Sequence, residues 1–318
     1  MKKMSKNQLE PFIKSLIFSS NPNQIYKKVK KSAILQEDYE DLQTIEDFIN
    51  DKDRNKRTKL KNNIDVYYIG CIPKELQMFS EQLLNIISSH FSLNIRINGE
   101  LMVEKTNKNY YRIYTLKQDL YFSINTQNKP IKEERFQVYK EKKNSILELN
   151  SGEILDMLIN FKKKTTIAVL GLTAYNIFNP DLPDDVIMGY SCGNGASVVS
   201  LTECFDNKLK DIIRRNANAL FEMIKTSLHE LCHTFGIDHC VEYHCIMNSQ
   251  YVKESYKNPI YFCPVCLSKL YLGLNLDLEK RLNELYQLYV KIGMQQSAIW
   301  IKNRIILWNN DKKLLNIK

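Results

Sequence analysis

Four of the five histidines, His229, His233, His239 and His244, lie within sixteen residues of one another. His229 and His233 are four positions apart, and residues with that spacing project from one face of a helix. Their imidazoles can therefore share one metal ion. Glu230 is rotated by about 100° from His229 around the helix axis, so that it lies beside such a metal without having to bind it. This combination is typical of a metal-dependent hydrolytic site.

A third ligand is supplied by the turn that follows the helix. Gly236 can adopt the left-handed conformation that ends a helix, and the chain can then bring His239 back towards the metal. Three protein ligands leave a fourth position for water, whose pKa zinc lowers to about 7. We therefore predict a catalytic zinc ion bound by His229, His233 and His239, with Glu230 as the catalytic residue that accepts the proton of the water.

Four cysteines follow the histidines at short distances: Cys240, Cys245, Cys263 and Cys266. The last two form a CxxC pair, which places two sulfur atoms on one turn, and two such clusters of thiolates are typical of a closed structural zinc site. We predict that a second zinc ion is bound by these four side chains. A redox-active CxxC pair is the alternative, and His244 could replace one of the cysteines.

The elements that must position these residues are indicated by apolar periodicity. A long helix is predicted from about Asp206 to Phe235, because apolar residues recur every three or four positions until Gly236 ends the pattern. Strands are predicted at VYYIG from Val66, LNIRI, YRIYTL, LYFSI, IAVLGLT, VIMGYS and ASVVSL. Further helices are predicted after Pro73, over residues 145–161, and near the C-terminus at residues 278–292 and 298–308.

Composition limits the class of protein. The 318 residues are 44% apolar and 25% charged, in the range of globular domains, which excludes a fibrous or wholly disordered chain. No apolar run approaches the ~20 residues of a membrane-spanning helix. The N-terminus has no clean signal-peptide pattern, and the crowded cysteines favour a reducing compartment. We therefore expect an intracellular protein, cytoplasmic or nuclear, that does not associate with a membrane.

Residues 1–63 differ in charge from the rest of the chain. They carry 14 Lys or Arg and nine Asp or Glu, whereas the whole chain has a net charge of +9. Solvated surface is the simple explanation, and an acidic protein partner for this basic extension is a further hypothesis. Nucleic-acid binding is not expected, because the segment between the two cysteine pairs lacks a dense basic run.

The string HELCHTFGIDHC, with CIM at Cys245–Met247 and CPVC at Cys263–Cys266, resembles the archaemetzincins, a family of metzincin-clan zinc peptidases. The resemblance is strongest over about residues 167–270 and extends more loosely upstream to Val66. Two departures are Cys232, where the family often has glycine, and a slightly short gap between Met247 and Cys263. Neither departure removes a predicted ligand.

The resemblance implies an α/β fold that is metzincin-like: a mixed twisted sheet, a long active-site helix, a C-terminal subdomain pinned by zinc, and additional C-terminal helices. By position it implies the same zinc ligands and the same general base. It also implies that Met247 forms the Met-turn beneath the metal, with Gly236 supporting the site. The implied activity is that of a peptidase or aminopeptidase on short peptides.

Three regions are expected on these grounds. Residues 1–63 form a charged, partly helical extension, residues 64–276 form the archaemetzincin-like peptidase domain with its structural-zinc segment at 240–266, and residues 277–318 form C-terminal helices. Two zinc ions per chain are predicted.

The expected function is hydrolysis of peptide bonds by a zinc-bound water that Glu230 activates. The peptide substrate is expected to lie extended against an edge strand assigned to Ala196–Leu201. Three acidic residues are candidates to anchor a free amine: Asp184, Asp185 and Glu203. The alternative function is a catalytically weak or inactive, zinc-stabilised module that binds a peptide or protein.

Overall fold

The computed structural model describes residues 42–72, 74–106, 110–115, 118–130, 145–181, 187–201, 212–248 and 260–314. The chain forms two compact units. One, termed the sheet unit, comprises Asp53–Ser88 and Leu93–Gly236. The other, termed the helical unit, comprises the described residues up to Lys52, Ser89–Ser92 and the described residues from Ile237 onward. The divisions at residues 63 and 276 followed charge and motif coverage, and they stay predictions.

The described strands of the sheet unit form one sheet in the order β7-β5-β4-β3-β2-β1-β6-β9-β8. The sheet is mixed: β1 pairs in parallel with β2 and β6, and β6 pairs in parallel with β9, whereas β3 and β4 join by antiparallel pairing. The strands are β1 Asn63–Ile69, β2 Asn94–Lys105, β3 Tyr110–Thr115, β4 Gln118–Pro130, β5 Ser145–Asn150, β6 Thr166–Thr173, β7 Asn176–Phe178, β8 Gly189–Cys192 and β9 Ala196–Ser200. The predicted mixed α/β class is confirmed.

Seven helices are described: α1 Ile45–Asn50, α2 Lys74–Phe91, α3 Ser151–Asn160, α4 Ile212–Thr234, α5 Pro264–Leu274, α6 Leu278–Lys291 and α7 Gln295–Leu314. The predicted helices after Pro73, before Gly236 and near the C-terminus correspond to α2, α4, α6 and α7. No described helix has the length and apolar character needed to cross a membrane. The candidate amine anchors Asp184, Asp185 and Glu203 lie outside the described residues.

The core of the sheet unit explains why β6 reads as one continuous apolar run. All eight residues of β6 are buried, because the strand has parallel neighbours on both sides and side chains packed on both faces. Helix α3 contributes Ile154 and Leu158 to the same cluster, where they meet Val169 and Val198. Burial of each such side chain contributes about 1.5–3 kcal/mol, so this core fixes the frame on which α4 packs.

Two sequence predictions are corrected. The helix predicted over residues 145–161 begins only at Ser151, because Ser145–Asn150 pair with β4 and β7 as a strand. Asn150 ends that strand and caps the helix, since its side-chain oxygen accepts a hydrogen bond from the Glu153 amide. The assignment of residues 196–201 as the edge strand is also wrong: β9 lies between β6 and β8, and β8 is at the edge among the described strands.

The helical unit is organised around a buried polar network. Arg281 of α6 donates hydrogen bonds to the carbonyl oxygen and the Nδ1 atom of His90, each within 2.9 Å. Because an arginine can only donate, Nδ1 must accept, and the ring proton therefore resides on Nε2, 2.8 Å from the hydroxyl of Tyr289. Burial, assisted by the positive charge of Arg281, lowers the pKa of His90 well below its usual value.

Candidate metal centres

Helix α4 ends in the way that the sequence predicts. Gly236 has a φ angle of 85°, in the left-handed region that glycine favours, and its amide donates to the carbonyl of His233 at 2.9 Å. The hydroxyl of Thr234 bonds back to the carbonyl of Leu231 at 2.7 Å. The helix therefore ends at Thr234, one residue after His233, and the chain continues towards His239.

The three histidines form one cluster. The Nε2 atoms of His229 and His233 lie 3.0 Å apart, and one ring nitrogen from each of the three residues lies within 4.8 Å of the others. Two nitrogens bound to one tetrahedral zinc ion would be about 3.3 Å apart. His229 is 5% exposed, whereas His233 and His239 are only partly buried. The donor set fits a zinc ion that remains accessible from one side, as a catalytic metal requires.

Glu230 follows His229 directly in the chain, and its side chain is almost fully buried. It is 9% exposed, and its Oε2 atom accepts a hydrogen bond of 2.6 Å from the hydroxyl of Ser191 on β8. Burial raises the pKa of Glu230 to about 7, although the hydrogen bond from Ser191 opposes the rise. A carboxylate with a pKa near neutrality suits proton transfer in both directions, and a cation bound by the histidines would lower that value.

The four cysteines of the second cluster are all buried and unbridged by disulfides. The sulfur atoms of Cys240 and Cys263 lie 3.7 Å apart, and those of Cys245 and Cys266 lie 3.9 Å apart. Two thiolates on one tetrahedral zinc ion would be about 3.8 Å apart, and a disulfide would bring the sulfurs to about 2 Å. The spacing and burial therefore fit a closed structural zinc site, and His244 is not part of the group.

Main-chain hydrogen bonds stabilise the loop that carries these cysteines. The amide of Cys240 donates to the carbonyl of Met247 at 2.7 Å, and the side chain of Asn248 donates to the carbonyl of Cys240 at 2.8 Å. The amide of Cys266 lies 3.5 Å from the sulfur of Cys263, which caps α5. Met247 is fully buried. Its placement beneath the catalytic metal stays a prediction.

Burial also argues for a cation at the second cluster. Desolvation, assisted by the neighbouring sulfurs, raises the pKa of the Cys263 thiol well above its usual value. A thiolate at Cys263 would therefore require a compensating positive charge, which a zinc ion would supply.

Sequence analysis missed a group that fixes the C-terminal end of α4. The side-chain amide of Asn55 donates to the carbonyl of Thr234 at 2.7 Å and to the carbonyl of Gly193, in the β8–β9 turn, at 3.2 Å. Lys162 donates to the side-chain oxygen of Asn55 at 3.1 Å. Asn55 thus satisfies one of the carbonyl groups left open at a helix end. No local pattern in the sequence marks it.

A second missed group lies in the helical unit. Gln43 accepts, through its side-chain oxygen, a hydrogen bond of 3.2 Å from the amide of Asp238. The buried amine of Lys269 donates to the same oxygen at 2.8 Å and to the carbonyl of Gln43 at 2.7 Å. Gln43 therefore holds the residue that precedes His239, although it lies almost 200 positions earlier in the chain.

Comparison with known proteins adds independent information. The model of peptidase family M54 matches residues 62–271, which include both clusters. Archaemetzincin-2 from Macaca fascicularis is 24% identical over 160 residues, covering 42% of this chain and 44% of that protein. Archaemetzincin-1 from Homo sapiens is 27% identical over 167 residues, covering 44% of this chain and 34% of that protein. The chain thus matches less than half the length of these curated relatives.

A crystal structure of an archaemetzincin from Methanopyrus kandleri aligns with a TM-score of 0.44 and 17% identity, covering 69% of this chain and 99% of that chain.

Proposed function

The chain belongs to peptidase family M54, and we propose that it is a zinc-dependent metallopeptidase that hydrolyses peptide bonds. The single observation that carries the proposal is the contrast between the two clusters. The histidine cluster is partly exposed and has a buried carboxylate beside it, whereas the cysteine cluster is closed. Catalytic zinc sites keep one position open, and structural sites do not. We assign the histidines to a catalytic zinc ion and the cysteines to a structural one, two per chain.

Each residue has a defined part in the proposed reaction. His229, His233 and His239 hold the catalytic metal. When bound, zinc acts as a Lewis acid that acidifies water and polarises a carbonyl group. Glu230 accepts a proton from the attacking water and then donates it to the departing amine, as a general base followed by a general acid. Its buried setting keeps the two protonation states close in free energy near neutral pH.

The substrate is proposed to bind along β8 rather than along β9. Strand β8 is at the edge of the sheet and pairs with β9 on one side only among the described strands. An extended peptide can add to such an edge through main-chain hydrogen bonds, which tolerate many side chains. Gly189 and Ser191 of β8 approach Glu230. A peptide paired there would lie close to the general base.

The proposed substrates are short peptides. The proposed mode of cleavage includes removal of residues from a free amino end. This specificity follows the resemblance to the archaemetzincins and is the part that the experiment must define.

The test is cleavage of an unbiased peptide mixture by zinc-loaded protein, analysed by mass spectrometry. The control is Glu230→Gln, which keeps the shape and polarity of the side chain but removes its basicity. We expect the wild type to cleave peptides. The rate of cleavage should fall by at least about 10²-fold in the variant, because general-base catalysis contributes roughly 10²–10⁴-fold. Both proteins should contain equal amounts of zinc.

The cleavage sites would also separate removal of terminal residues from internal cleavage. Absence of cuts by wild-type protein containing two zinc ions would overturn the proposal in favour of the alternative, a zinc-stabilised module that binds peptides without hydrolysing them.

A further inference from the structure

We propose that Ser191 is the positioning residue of the general base: its hydroxyl holds the Oε2 atom of Glu230 against strand β8 and leaves Oε1 to accept the proton of the attacking water. This inference rests on the proposed peptidase function and deepens it. Ser191 lies outside the zinc-binding motif and sets the orientation of the carboxylate.

The first observation is the hydrogen bond itself. The Ser191 hydroxyl lies 2.6 Å from Oε2 of Glu230, the short distance expected when a hydroxyl donates to a carboxylate. Ser191 is the one hydrogen-bond donor to this carboxylate among the residues that the structure describes. Since Glu230 is 9% exposed, water contributes little to its orientation. The carboxylate rotamer therefore depends strongly on one side chain.

The second observation is the space around the other oxygen. A Cβ atom on Gly189 would lie 2.6 Å from Cγ and 2.8 Å from Oε1 of Glu230. Both distances are too short for van der Waals contact, so glycine is required for the carboxylate to lie over β8 as it does. Gly189 and Ser191 are two residues apart on one strand and therefore face the same side. Together they fix the orientation of the Glu230 carboxylate: Ser191 donates a hydrogen bond to it, and Gly189 leaves the space that it occupies.

The third observation connects the carboxylate to the edge strand. Strand β8 pairs in register with β9, Ser191 opposite Ser197, and β9 in turn pairs with the buried strand β6. Ser191 is therefore held on a rigid element rather than on a loop. Strand β8 would therefore position both reaction partners. A peptide would pair with its edge, and the Glu230 carboxylate, which accepts the proton of the attacking water, is held by Ser191. A positioning contact of this kind should affect turnover more than binding.

The main test compares Ser191→Ala, Ser191→Thr and Ser197→Ala on a peptide that the wild type cleaves. Ser191→Ala should lower kcat by roughly tenfold or more, with KM within about twofold and an unchanged zinc content, because the contact orients a general base without binding substrate. Ser191→Thr keeps a hydroxyl and should restore kcat to within about threefold. Ser197→Ala removes the hydroxyl of the cross-strand partner, which bonds to Val169, and should leave kcat unchanged.

A second measurement does not depend on activity. Ser191→Ala should lower the midpoint of thermal unfolding by about 3 °C in the wild type and by clearly less in Glu230→Ala, since the acceptor is then absent. If the wild type cleaves no peptide, the proposed function fails while this cycle still tests the contact. Equal shifts in the two backgrounds, or a wild-type kcat in Ser191→Ala, would overturn the proposal.

Discussion

The Nε2 atoms of His229 and His233 lie 3.0 Å apart, because the two residues are four positions apart on α4 and share one face of the helix. In this arrangement two ring nitrogens compete for one proton or share one cation. A zinc ion would satisfy both lone pairs at once, and one ring nitrogen of His239 lies within 4.8 Å of a ring nitrogen of each of the two. Helix α4 ends one residue after His233, at Thr234, and His239 in the segment that follows completes the cluster.

The exposure of the two clusters predicts unequal rates of zinc loss. Wild-type protein is expected to contain two zinc ions, and a chelator such as EDTA should remove the histidine-bound ion first because that cluster is partly open. Zinc content measured against time should show two phases, and peptide cleavage should be lost with the first. Loss of both ions in one phase, with unfolding, would contradict this assignment.

Removal of a cysteine ligand should affect folding rather than only catalysis. Cys266→Ser is expected to lower the zinc content by one ion and to destabilise the helical unit, because binding of a structural zinc ion contributes directly to folding. Cys71→Ser is the matched control, since Cys71 is exposed and lies outside the cluster. Zinc analysis and thermal unfolding would decide the point. A Cys266→Ser protein with two zinc ions would show that the fourth sulfur is not a ligand.

The close approach of α4 to the edge strand gives a third prediction. Gly189→Ala should reduce peptide cleavage by at least about tenfold, because the added methyl group overlaps Cγ of Glu230 and displaces the carboxylate. Gly193→Ala is a suitable control, since a Cβ atom there meets nothing within 4 Å.

Steady-state kinetics and zinc analysis of both variants would be compared with the wild type. Equal activity in the two variants would mean that Glu230 accommodates the methyl group, and that Gly189 has no special part in the site.

The sequence predicts which side chains cluster where those side chains are close together in the chain. His229, Glu230, His233, Gly236 and His239 lie on eleven consecutive residues, so helical spacing and one glycine turn are enough to anticipate their arrangement. The four cysteines are also local in sequence. Their spacing indicates a metal-binding cluster without any knowledge of the sheet.

The sequence-based predictions are wrong where pairing between strands that are distant in the chain determines the structure. Residues 145–150 have apolar positions compatible with the helix that follows, but pairing with β4 turns them into a strand, and only the cap at Asn150 marks the change. The order of β8 and β9 at the edge of the sheet is likewise determined by which of the two strands pairs with β6. Ser191, Asn55 and Gln43 act over long sequence separations, and no local pattern identifies them.

Protonation of His90 should make stability depend on pH in the acid range. The ring is buried in its neutral form, and burial together with Arg281 holds its pKa well below 6.5. Well above pH 6.5 the ring is neutral in both the folded and the unfolded chain and adds no pH dependence. Below 6.5 only the unfolded chain takes up the proton, so the free energy of unfolding falls by up to about 1.4 kcal/mol per pH unit.

His90→Gln tests this account, because the amide can accept from Arg281 and donate to Tyr289 but does not titrate. Urea unfolding at pH 7.0 and 5.5 in excess zinc should show a stability loss that is smaller in the variant by about 1 kcal/mol. Zinc release at low pH affects both proteins alike, so the difference isolates His90. Equal losses in the two proteins would mean that His90 takes up its proton in the folded state, and that the network with Arg281 and Tyr289 does not keep the ring neutral.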